Sequence, residues 1–106
     1  FRATGPTSSS SIDVRIGAKR DGTVTAAFAE LRYQGGAFTA NWAEFGAMTA
    51  WACYDFKNVK SVSKDAIVNR PKCAAYRAPS APIAAFAIES TMDEVAKAAA
   101  TTPASA

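Results

Sequence analysis

The stretch NRPKCAAYRAPSAPIAAFAIESTMDEVA, Asn69–Ala96, decides how the chain is read. An extended run passes into a tight loop without glycine, and the loop passes into a helix. Pro82 suits the first helical turn, where its missing N–H needs no partner. From Ile83 the apolar residues recur at helical spacing: Ile83, Phe86, Ala87 and Ile88, then Met92, Val95 and Ala96. That spacing predicts a broad buried stripe. Glu89, Asp93, Glu94 and Lys97 fall towards the polar side. With Phe86 in the stripe, Phe86→Ala is expected to cost about 3–5 kcal/mol. The loop Ala75–Ala81 presents Arg77 just before the helix start. Free N–H groups and the positive dipole end favour an anion or an electronegative oxygen there. Two readings of Arg77 stand side by side: a member of such a site, or an arginine that is solvated or paired with a neighbouring carboxylate.

Nearer the N-terminus, Ile12, Val14, Ile16 and Ala18 alternate with Asp13, Arg15, Gly17 and Lys19, the pattern of a half-buried strand. Lys19-Arg20-Asp21-Gly22 predicts a hairpin turn, and Thr23–Tyr33 the returning strand. The apolar phase of that strand shifts near Ala26–Ala27, which a bulge would explain. Gly35-Gly36 ends it. Ala37–Tyr54 has no clean period; Ala43–Cys53 is readable as a short helix setting Ala47, Met48, Trp51 and Ala52 on the sheet, with Gly46 counting against it. Trp42, Phe45 and Trp51 are simplest as core or subunit-contact aromatics, the alternative being a stacking platform. Asn58–Val68 reads as a third strand, with Lys64-Asp65 at a bend and Pro71 closing it. The expected class is α+β: a small antiparallel sheet with one long C-terminal helix and room for a short second helix packed on one face. Residues 1–11 read as an irregular lead-in, 12–98 as a single domain and 99–106 as a flexible tail.

The 106 residues allow one domain with a modest core. Without histidine, a zinc site or a His-based triad is excluded, and Cys53 and Cys73 match no paired-ligand spacing. A disulfide between them stays open, although free, buried cysteines suit a cytosolic enzyme better. No apolar run approaches the roughly 18 residues of a membrane span, and no signal peptide is visible. The net charge of +3 is mild, and Lys57, Lys60 and Lys64 are spaced as on a solvated edge strand. Nucleic-acid binding would require a denser basic patch or a recognisable module.

AYRAPSAP followed by FAIESTMDEVA resembles the large, molybdopterin-binding subunit of the molybdenum hydroxylases, the xanthine dehydrogenase and aldehyde oxidase group. Members of that family carry an upstream asparagine, then alanine, an aromatic, arginine, two variable residues, a glycine and a small-proline pair, followed by a helix with a glutamate and an Asp-Glu pair. Here Asn69, Ala75, Tyr76, Arg77, Ala78, Pro79, Ser80, Ala81, Pro82, Glu89, Asp93 and Glu94 take those places. The resemblance extends back through GAKRDGTVTAAFAELRYQGGAF and YDFKNVK. Family subunits are several times longer, so the chain reads as an interior piece of one.

The resemblance implies an enzyme that hydroxylates an aldehyde or an aromatic heterocycle with water as oxygen source. It implies a molybdopterin cofactor, in the cytosine dinucleotide form if the source is bacterial, and a cytoplasmic location. It also implies iron-sulfur and flavin subunits or domains as partners beside the rest of the molybdopterin-binding subunit. Ala75, Tyr76, Arg77, Ala78 and Pro79 become the expected cofactor contacts, with Arg2 and Pro79 facing the substrate pocket. Pro79 stands where purine-oxidising members carry a phenylalanine that packs on flat substrates, which weighs against xanthine. Ala78 stands where carbon monoxide dehydrogenases place a metal-binding cysteine, and Ile83 where many members carry glutamine. The family's catalytic glutamate lies outside this stretch, and Glu30, Glu44, Glu89 and Glu94 do not match it. The chain is therefore expected to be inactive alone, with Glu89 and Asp93 as structural groups or partners for Arg77. A non-catalytic assembly domain is the alternative, and an unrelated basic binding module a third.

Overall fold

The computed structural model describes residues 5–39 and 41–101. Five elements follow one another: β1 (Ser10–Ala18), β2 (Val24–Gly36), α1 (Trp42–Thr49), β3 (Val59–Ile67) and α2 (Ala81–Thr101). The sheet order is β1-β2-β3.

β1 and β2 pair antiparallel through the expected turn. Gly22, at φ 91°, adopts the left-handed conformation that a residue without Cβ takes at little cost. Its N–H donates to the Lys19 carbonyl at 3.0 Å, and the Asp21 carboxylate accepts from the Thr23 N–H at 2.9 Å. That backbone bond holds the Asp21 carboxyl below its ordinary range. The pairing steps from Gly17↔Ala26 to Ala18↔Val24, leaving Thr25 as the extra residue. The phase shift read near Ala26–Ala27 is this bulge, one residue earlier.

β3 runs parallel to β2, so the sheet is mixed rather than wholly antiparallel. A parallel neighbour needs a crossover of a dozen or more residues, and the connection from Gly36 to Val59 supplies it by way of α1. A hairpin connection would have been far shorter. Lys64-Asp65 lies within the continuous strand, and the irregularity falls instead between Gln34 and Gly36 on β2.

Both helices cover one face of the sheet. Ala27, Ala29, Leu31 and Tyr33 of β2 are buried on it, with Ile12, Val14 and Ile16 of β1 beside them. Ala43 and Ala50 close over them from the α1 side, Trp51 from the turn that follows, and Ala84 and Ile88 from α2. Tertiary bonds fix α1: Asp65 of β3 accepts from the Ala43 N–H at 3.1 Å, and the Trp51 indole donates to Ser61 Oγ at 3.1 Å. Of the residues expected to pack from this segment, Trp51 is buried and Ala47 partly so, while Met48 and Ala52 are exposed. Phe45 is also exposed. Cys73 is free and buried, whereas Cys53 is free and exposed.

α2 begins at Ala81 with Pro82 in its first turn and continues to Thr101. Part of the segment read as a flexible tail is thus helical, and residues 102–106 lie outside the described residues. The buried line of the helix runs through Ala84 and Ile88, with Ile83, Ala87, Met92 and Val95 half-buried around it. Phe86 is 77% exposed, contrary to expectation. It lies two residues from both Ala84 and Ile88, and at 3.6 residues per turn that places it on the opposite side of the helix. Ala96 is exposed as well. No described helix is long and apolar enough to cross a membrane.

Candidate functional site

The loop between β3 and α2 hangs from the C-terminal end of β2. The Cys73 N–H donates to the Gly35 carbonyl at 3.1 Å, and the Ala74 N–H to the Pro6 carbonyl at 3.1 Å. The chain passes so close to Gly36 that a Cβ there would lie 2.3 Å from the Pro71 carbonyl oxygen, and Gly36 sits at φ 82°. Glycine is therefore required at this position. At the far end of the loop, the buried Tyr33 hydroxyl donates to the Ser80 carbonyl at 3.2 Å, and the Ala84 N–H donates to the same oxygen at 3.1 Å. Burial pushes the Tyr33 phenol up to about 12, which keeps it a donor.

Two residues of the loop are left-handed without being glycine, Ala78 at φ 55° and Ser80 at φ 66°. Ala78 precedes Pro79, and a proline disfavours the right-handed helical region for the residue before it. The Ala81 N–H donates to the Ala78 carbonyl at 3.2 Å, closing the tight turn that produces these angles. Ser80 is buried at the position where the resembled family has glycine.

Ala75, Tyr76, Arg77 and Ala78 are all exposed, and Pro79 is half-buried. The structure brings these five residues together as one stretch of surface backbone. The N–H groups of Ala75, Tyr76, Arg77 and Ala78 donate to no backbone or side-chain acceptor among the described residues. Tyr76 is 38% exposed. Arg77 forms no ion pair with a described residue. Glu89, read with Asp93 as a structural group or a partner for Arg77, accepts from the Tyr54 hydroxyl at 2.6 Å, a structural role, and this bond pushes the Tyr54 phenol up to about 12. Glu30 is engaged on the sheet by Lys64, which holds its carboxyl below the ordinary range. Arg2 lies outside the described residues.

Two neighbouring features were not legible in the sequence. Trp42 lines a concavity with Ala74 and Ala75, and its indole N–H is buried without an acceptor among the described residues. Such an orphaned donor is uncommon in native proteins. On the other side of the loop, Phe45 and Met48 of α1 meet Ala78, Pro79 and Ala81 around an apolar pocket of about 280 Å³. Helical spacing of Phe45 and Met48 would have placed them on one face, but nothing local showed that the face looks toward a loop more than 30 residues on.

The family profile described as molybdopterin cofactor-binding domain matches residues 1–105. No curated protein matches the chain. Among solved structures, the aldehyde oxidoreductase from Desulfovibrio desulfuricans ATCC 27774 superposes with a TM-score of 0.84 at 25% identity, over 93% of this chain and 11% of that one. The aldehyde oxidoreductase from Desulfovibrio gigas, activated with sodium dithionite and sodium sulfide, superposes with a TM-score of 0.79 at 24% identity, over 93% and 11%. This chain thus spans about a tenth of the length of those proteins. With the fold, the loop at the end of β2 and nearly every residue falling within one family profile, the chain belongs to the molybdopterin cofactor-binding domain family.

Proposed function

We propose that this chain is the part of a molybdenum-dependent oxidoreductase that contributes the loop Ala75–Pro79 to the wall of the cofactor site. One observation carries the reading: four consecutive exposed residues, Ala75 to Ala78, have N–H groups without a partner among the described residues, in the loop that leads into α2. Such a row of donors at the positive end of a helix suits electronegative oxygen. The group fits the residues present. Among the described residues, the Trp42 indole adds a buried donor without an acceptor beside Ala75, and Arg77 adds a cation with no ion pair of its own. Its planar fork binds phosphate in two-point fashion.

When bound, the molybdenum cofactor supplies two-electron oxidation with water as the oxygen source. The chain's own residues orient and shield. The pocket of Phe45, Met48 and Pro79 offers an apolar wall for the body of an aldehyde or an aromatic heterocycle. Pro79 presents no aromatic ring to stack on a purine. Aldehyde oxidoreductases of like fold favour the aldehyde. In the larger enzyme the cofactor takes the cytosine dinucleotide form if the source is bacterial, the electrons leave through iron-sulfur and flavin partners, and the location is cytoplasmic. Residues 12–98 form the unit that docks into the rest of the subunit. By resemblance none of Glu30, Glu44, Glu89 and Glu94 matches the family's catalytic glutamate, and the engagement of Glu30 and Glu89 elsewhere supports the reading that the chain alone is inactive.

The test is Arg77→Ala and Trp42→Phe in the parent enzyme, read by molybdenum content and melting temperature together. Lower metal occupancy at an unchanged melting temperature is expected. Full occupancy in both variants would remove the loop from the site.

A further inference from the structure

On the sheet face opposite the helices, the pairing register arranges charge in rows. Arg15, Phe28 and Lys60 stand side by side across β1, β2 and β3. The next row holds the carboxylates Asp13 and Glu30, and the row beyond it the cations Arg32 and Lys64. Both carboxylates are taken from that far side: Arg32 bonds Asp13 at 3.0 Å and Glu30 at 2.6 Å, and Lys64 bonds Glu30 at 2.7 Å. Arg15 and Lys60 are left without an ion pair among the described residues. On their other flank lie Gly17 and Ala26, too small to fill the face. The result is an open concavity of about 590 Å³, lined by Arg15, Lys57 and Lys60 together with the half-buried Phe28 and by no acidic residue.

We propose that this concavity binds a planar ligand carrying a phosphate, of the nucleoside monophosphate class. The ring lies over Phe28, and the phosphate is held by Arg15 and Lys60 with Lys57 at the rim. An apolar partner would leave the cations unanswered, and a bare anion would leave the aromatic surface unused; a flat ring bearing charge satisfies both. With strands about 4.8 Å apart, Arg15 and Lys60 rise about 10 Å from one another, within reach of one phosphate for two long side chains. The site is separate from the cofactor loop. Phe28 lies five residues from Tyr33 along β2, about 17 Å, and on the opposite face. The inference does not depend on the proposed cofactor role.

The test is a titration of the isotope-labelled chain with adenosine monophosphate, inorganic phosphate, adenosine and a short polyglutamate peptide, followed by amide chemical shifts at low and physiological salt. Saturable shifts at Arg15, Phe28 and Lys60 are expected with adenosine monophosphate, tighter than with phosphate or adenosine and weakened by salt. Arg15→Gln and Lys60→Gln should each weaken binding roughly tenfold. Phe28→Leu should abolish the advantage of the nucleotide over phosphate. If Phe28→Leu unfolds the chain, the two charge variants decide: unchanged affinity in both overturns the proposal. Absence of saturable shifts, shifts confined to Ala75–Ala78, equal binding of adenosine, or tighter binding of the peptide would each overturn it.

Discussion

Gly46 sits inside α1, where alanine would ordinarily be better by about 1 kcal/mol. The reason lies on another strand. A Cβ at Gly46 would fall 2.8 Å from the Tyr33 hydroxyl oxygen, 3.1 Å from Tyr33 Cζ and 3.2 Å from Leu31 Cδ2. Gly46→Ala is therefore expected to incur an overpacking cost of about 1–3 kcal/mol, partly offset by the helical gain. Tyr33→Phe removes the oxygen that makes the closest approach. Alone it should cost about 1 kcal/mol, since the Ser80 carbonyl keeps its bond from the Ala84 N–H. Together the two changes should be less damaging than their sum, by about 1–2 kcal/mol, because the remaining contacts beyond 3 Å can yield. Urea unfolding of the four proteins, followed by tryptophan fluorescence, measures the coupling. If the two costs add to within about 0.5 kcal/mol, the hydroxyl is not what excludes a side chain at position 46.

Phe86→Ala should change stability by no more than about 0.5 kcal/mol, since the ring is largely in solvent; a loss of several kcal/mol in the same assay would contradict its placement. Tyr33 and Tyr54 both hold their protons to about 12, above the ordinary value of 10.0. The folded state favours the neutral phenols, so the stability they lend is whole below about pH 10 and is lost as pH climbs from there through about 12. Unfolding curves across that window should show the fall, and Tyr33→Phe should shallow it; a flat profile would refute the assignment. Arg77→Ala should leave the melting temperature of the parent enzyme unchanged while lowering its molybdenum content. Metal analysis and a dye-reduction assay of the chain alone should find neither stoichiometric molybdenum nor turnover, and substantial amounts of both would sink that reading.

What the sequence showed was what neighbouring residues determine. Alternation at Ile12, Val14 and Ile16, the Asp21-Gly22 turn, and the helix beginning around Pro82 are local patterns, and they fold as read. The direction of β3 is not local, because a strand's composition carries no direction and only the path of its connection sets it. Phe86 misled for a different reason: α2 is apolar on more than one side, so the buried line is chosen by the sheet rather than by the helix. In the candidate site, Ala75–Pro79 could be named as a stretch, but its shape could not. Ala78 and Ser80 take a handedness that glycine would have advertised and these residues do not. Tyr54 claims Glu89 from 35 positions away, and no spacing rule brings that pair to notice.

The loop is tied at Cys73 to the Gly35 carbonyl and at Ser80 to the Tyr33 hydroxyl, so both knots trace back to residues two apart on one strand. That strand is the middle one, gripped from either side by β1 and β3. The Cys73 end of the sling therefore inherits the stiffness of β2, while the Ser80 end also rests on the first turn of α2, whose Ala84 N–H shares its carbonyl. A substitution that slides α2 shifts that second end while the first stays anchored to the strand backbone. Side chains at Ala75, Tyr76 and Arg77 can then be exchanged over a backbone that does not move with them, so a new ligand preference can arise here without the fold being renegotiated.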